Sequence, residues 1–142
     1  MNLQQKAQAI ADSITKLLHI KCELREEPGE DPANPKAILI EPQKMLSYGA
    51  IMGATFLKFG ADVRPTRQKV KYGDKLVFRN ILKRLQAKIY CVCDQYGFVT
   101  DILVEDAPAK DMKPDVLKNV TSRLTAAAGF RARAAADKEG EC

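Results

Sequence analysis

The sequence predicts an α+β domain in which antiparallel β-hairpins pack against helices. Three observations carry this prediction. Apolar residues recur at helical spacing over the first segment. Short alternating or β-branched runs follow, punctuated by proline and glycine. The runs Lys88 to Cys93 and Phe98 to Val104 flank Asp94-Gln95-Tyr96-Gly97, a set of turn-forming residues that marks a hairpin.

In chain order, Leu3, Ala7, Ile10, Ile14 and Leu17 fall at steps of three and four, with Leu18 widening the stripe, so 3–18 is expected to be a core-facing helix. Ile20, Cys22 and Leu24 alternate with Lys21, Glu23 and Arg25, as in a strand with one wet face. Pro28, Gly29, Pro32 and Pro35 make 26–35 a loop, because neither helix nor ladder tolerates that proline density. Ala37-Ile38-Leu39-Ile40 reads as a buried strand closed by Pro42. Met45 to Phe59 has so little polar content that a mostly buried helix is expected. Gly49 and Gly53, four apart within it, would admit a close backbone neighbour.

Residues 60–73, with Pro65, read as a linker, and Asp74 as the cap of a helix over 74–87. The hairpin 88–104 follows. Pro114 suits the first turn of a last helix, Val116, Leu117, Val120, Leu124 and Ala127 form its stripe, and Gly129 ends it. The expected order is αββα-αββα. Ile38-Leu39-Ile40-Glu41 and Ile102-Leu103-Val104-Glu105 occupy matching places, which suggests an internal duplication. A single domain over 1–130 and a flexible charged tail over 131–142 are expected.

A chain of 142 residues with 46% hydrophobic and 29% charged content is ordinary globular composition. No apolar run approaches the roughly 18 residues of a membrane span, and the first residues lack an apolar signal core. A cytoplasmic protein is the expectation, with its four cysteines reduced. Cys22, Cys91 and Cys93, with His19, could be imagined around zinc. Cys-x-Cys is a weak match to the usual ligand spacing, however, and core thiols are the preferred reading. His19 sits where a helix C-cap is expected.

Asp94, Asp101, Glu105, Asp106 and Asp111 could in principle gather Mg²⁺ for a nuclease, but a solvated hairpin loop accounts for them. No phosphate loop, nucleophile elbow or zinc-protease motif is present, so the chain reads as non-enzymatic and without a cofactor.

Charge is the informative feature. The net charge is +5, yet Lys58 to Lys88 holds ten basic residues against Asp62 and Asp74, a net +8, which leaves −3 elsewhere. Such a concentration attracts a polyanion. Arg64, Arg67, Lys69, Lys71, Tyr72, Lys75, Arg79, Lys83 and Arg84 are the candidate contacts. On a helix, Lys75, Arg79 and Lys83 would stack in one column. Tyr72 is the preferred residue for stacking on an unpaired base, with Tyr90 a further candidate, whereas Phe78 falls on the apolar stripe.

The function expected is largely sequence-independent binding of DNA or RNA through the phosphate backbone. The alternative is a protein–protein adaptor or self-assembling component, either docking an acidic protein partner or forming a homodimer through the apolar helices.

Overall fold

A computed structural model of the protein describes residues 1–26, 37–60, 63–72 and 75–108, with backbone alone over 64–72. The first helix, α1 (Leu3–Leu18), is bounded as its periodicity predicts. The Asn2 side chain accepts from the Gln5 backbone N–H at 2.8 Å, and the Asn2 N–H donates to Gln5 Oε1 at 2.9 Å. This reciprocal pair satisfies two of the orphan donors of the first turn. At the other end His19 adopts the left-handed conformation, φ 56°, and its N–H donates to the Thr15 carbonyl at 3.0 Å. His19 is therefore the C-cap, as expected.

Among the described residues seven strands form one antiparallel sheet. They are β1 (Cys22–Glu26), β2 (Ala37–Pro42), β3 (Leu46–Ser47), β4 (Val63–Tyr72), β5 (Lys75–Leu82), β6 (Ala87–Cys93) and β7 (Phe98–Asp106). The spatial order is β1-β2-β7-β6-β5-β4, with the short β3 pairing the start of β7. α2 (Tyr48–Phe59) joins β3 to β4 and lies beside α1 on one face of the sheet. The α+β class is thus observed.

Alternation along each strand sends one set of side chains toward the helices. Ile38 and Ile40, Ile89 and Cys91, and Ile102 and Val104 meet Ala7, Ile10 and Ile14 of α1 and Ile51 of α2 in the main core. A register shift between Val92 and Cys93 brings Val99 into the same core. Lys6 ties α1 to the sheet, since its ammonium donates to Asp106 at 2.6 Å and to the Gln86 carbonyl at 3.1 Å. The opposite face carries a second cluster of Ala37, Leu39, Val77, Tyr90, Val92 and Leu103.

Several expectations need correction. Residues 60–73 are not a linker, because β4 begins at Val63. Residues 74–87 are not a helix, because Lys75–Leu82 is β5, paired continuously with β6 and, across a register shift, with β4. The physical reason is that β5 is buried on both faces. Its apolar content is then nearly continuous and fits a helical template as well as a strand.

Without that helix, the described residues do not follow the αββα-αββα order, and the duplication loses the first element of its second copy. The helix Met45 to Phe59 starts only at Tyr48, capped by Ser47 Oγ, and it is not mostly buried. Ile51, Ala54 and Thr55 face inward, whereas Phe56 and Leu57 are exposed. Gly49 and Gly53 are exposed, with no close backbone neighbour among the described residues. The loop from 27, the last helix over 114–129 and the tail 131–142 lie outside the described residues.

Candidate nucleic-acid interface

Among the described residues β4 is an edge strand, hydrogen-bonded to β5 alone. Together β4 and β5 hold Arg64, Arg67, Lys69, Lys71, Lys75 and Arg79 and no acidic residue. The register sets Lys69 opposite Phe78, Lys71 opposite Leu76 and Tyr72 opposite Lys75. A shift between Pro65 and Lys69 interrupts the ladder. Proline cannot donate to a ladder and is at home on an edge.

Cations along an edge strand also discourage pairing with another sheet. That role alone does not require the two cations in the next turn. Lys83 and Arg84 are exposed there, in a turn closed by the Gln86 N–H on the Lys83 carbonyl at 3.1 Å, with Gln86 at φ 51°. Arg64 pairs with Ile81, so the start of β4 lies beside this turn.

The structure divides the nine sequence candidates. Arg64, Arg67, Lys69, Lys71 and Tyr72 fall on the edge strand, and Lys75 is half-buried at the start of β5. Lys83 and Arg84 are exposed. Arg79 is different, being only 1% exposed on the face away from the helices. The expected column of Lys75, Arg79 and Lys83 does not exist, because a strand does not stack residues four apart as a helix does.

Among the aromatics, Phe78 stacks on Tyr48 with centroids 4.3 Å apart, and Tyr90 is 4% exposed within the second cluster. Neither is open to a base. Tyr96 was missed in the sequence reading. It is 75% exposed in the β6–β7 turn, at the end of the sheet where Leu76 pairs with Cys93 and β5 begins. The signal is its place immediately before Gly97 in a turn, where a large side chain has nothing to pack on.

Among the described residues the fold separates the groups of the rival chemistries. Cys22 lies on β1, three strand spacings from β6, or about 14 Å. It cannot share a metal with Cys91 and Cys93, since zinc–sulfur bonds are about 2.3 Å. Among the described residues no group of three metal-ligating side chains occurs. Cys91 and Cys93 share the helix-facing side of β6 as the alternation predicts. Burial holds the Cys91 thiol well above its ordinary range, with Cys93 adding to the effect. Burial and the Asp94 charge push Cys93 up to about 11. Protonated thiols of this kind are poor nucleophiles and poor ligands.

The carboxylates also diverge. Asp94 accepts from the Tyr96 and Phe98 backbones within its own turn. Asp101 pairs in register with Val92 of the second cluster, while Asp106 reaches Lys6 on the helix side. Asp111 lies outside the described residues.

The raised thiol has a testable consequence. An unfolded thiol ionises near pH 8.5, whereas Cys93 holds its proton to about 11. Its contribution to stability is full below about pH 8.5 and is lost as pH rises through 11, by up to about 1.4 kcal/mol per pH unit. Urea midpoints at pH 8, 9.5 and 10.5 should therefore fall more steeply for the wild type than for Cys93→Ala.

No helix among the described residues is long and apolar enough to cross a membrane. No protein-family model, no curated protein and no solved structure matches this chain.

Proposed function

We propose that the protein binds the phosphate backbone of DNA or RNA through the β4 edge and the β5–β6 turn. The observation that supports this reading is the run of cations along the edge strand, continued by exposed Lys83 and Arg84 beside its start. Phosphate neutralisation releases counterions, which makes such binding steeply salt-dependent and largely indifferent to sequence. Tyr72 and Tyr96 are the aromatic residues this reading offers to an unpaired base. Arg79 contributes to the fold rather than to the contact. In this reading the protein is non-enzymatic and acts in the cytoplasm.

Titration of a generic duplex and a generic single strand tests the reading. Lys83→Glu/Arg84→Glu and Lys69→Glu/Lys71→Glu should each lower affinity by about tenfold or more at low salt and flatten the salt slope by roughly one per phosphate lost. Unchanged affinity in both double variants would refute the interface.

A second reading, self-association, is favoured by one specific feature. The outer face of α2 combines open Gly49 and Gly53 with Phe56 and Leu57, the latter 77% exposed. Light scattering over a range of concentrations separates the two readings, since the nucleic-acid reading does not need an oligomer.

A further inference from the structure

One aromatic ring on the helix side stands over the basic hairpin. Tyr48, the first residue of α2, lays its ring on Phe78 of β5, with centroids 4.3 Å apart and planes 20° from parallel. Its hydroxyl donates to Asn80 Oδ1 at 3.2 Å, two residues further along the same face of β5. Its backbone N–H donates to the Gly97 carbonyl at 3.2 Å, and the Ser47 side chain caps the helix beside it. Backbone and ring are held independently, so the ring is set in place before any ligand arrives.

Packing alone does not account for this arrangement. Asn80 is 1% exposed, and its Nδ2 finds no hydrogen-bond partner among the described residues. A buried amide left half-satisfied costs stability that an apolar residue of similar size would not. What the amide does is hold the Tyr48 hydroxyl. Tyr48 itself is only half-buried. The cover over the sheet thins at this point. Cys91 and Cys93 on β6 are fully buried, whereas their register partners on β5, Phe78 and Leu76, are half-buried.

The next strand outward carries cations. Lys69 and Lys71 of β4 take the register positions opposite Phe78 and Leu76. Opposed positions in an antiparallel ladder lie about 4.5–5.5 Å apart between Cα atoms. A fixed aromatic ring beside a line of cations is the combination that single strands use, since unpaired bases stack on the ring and phosphates follow the charge.

We infer, on the strength of the β4 edge reading, that Tyr48 is the stacking platform for an unpaired nucleobase whose phosphates follow β4. The preferred ligand is then a single strand, because the bases of a duplex are already stacked on one another. The ring face turned away from Phe78 meets the base. Phe78 backs the ring, and Asn80 is a positioning residue that acts through the Tyr48 hydroxyl.

The experiment measures the affinity of the full chain, at low salt, for an oligothymidylate of about a dozen nucleotides and for a mixed-sequence duplex of the same length. Tyr48→Leu keeps an apolar side chain against Phe78. It should weaken binding of the single strand about tenfold and leave the duplex unchanged. Asn80→Leu should weaken the single strand alone, by roughly two- to tenfold, without lowering the urea midpoint. The chain contains no tryptophan, so Tyr48→Trp reports the contact directly. Its emission should be quenched by the oligothymidylate and not by the duplex. Equal losses for both ligands in Tyr48→Leu, no loss for either, or a tryptophan indifferent to the oligothymidylate would overturn the platform and leave the β4 edge standing. If Tyr48→Leu unfolds the chain, the tryptophan variant decides alone. A wild type that binds neither ligand would sink the edge and the platform together.

Discussion

Arg79→Glu is expected to destabilise the protein by about 3–5 kcal/mol, whereas Lys83→Glu/Arg84→Glu should change stability by less than about 0.5 kcal/mol per site. The three residues look alike in sequence, as basic positions within six residues of one another. Their environments differ completely. Arg79 is buried in the middle of β5, between β4 and β6 and opposite Tyr90. Replacing the guanidinium there with a carboxylate puts an anion at a position only 1% exposed. Lys83 and Arg84 stand in an exposed turn where a carboxylate is simply hydrated. Urea denaturation of the two variants measures the contrast. Comparable losses in both would mean that β5 is misplaced.

Ile102→Ala should cost about 2–5 kcal/mol, a large share of the roughly 5–15 kcal/mol that holds a domain of this size together. Ile102 is fully buried on β7, paired with Ile40 on one side and Cys91 on the other. It sits where the helices and the central strands meet, so the methyl groups removed leave a cavity that packed neighbours on both sides cannot close. Phe98→Ala, on the half-buried start of the same strand, should cost distinctly less. Thermal or urea unfolding of the two variants checks the ranking.

These predictions depend on residues whose placement the sequence reveals unequally. α1 was legible because its stripe is narrow and its opposite face polar, and the cap Asn2 with Gln5 confirms the start. β6 and β7 were legible because Asp94 and Gly97 force a turn, the latter at φ 86°. β5 was misread for the same physical reason that it is stable. A strand covered on both faces loses the alternation that identifies strands.

The clue that outweighs its helical spacing is Gly73-Asp74 between two β-branched or alternating runs, a two-residue hairpin signal in which Asp74 also resembles a helix cap. For the site, clustering of charge was visible in the sequence, but the assignment of individual cations was not. Position along the chain says where Arg79 is, and only the sheet says that it faces away from solvent. Tyr96 needed the register of β6 with β5 to bring it near the basic hairpin's end.

The central claim is that the cations of β4 and the β5–β6 turn form one polyanion-binding edge. Its most direct test is the affinity of the wild-type protein for a generic duplex, measured across salt concentrations. The account predicts binding at low salt that falls linearly on a log–log plot, with a slope of about −3 to −6, for some three to six phosphates neutralised. No measurable binding at low salt, or an affinity indifferent to salt, would contradict it.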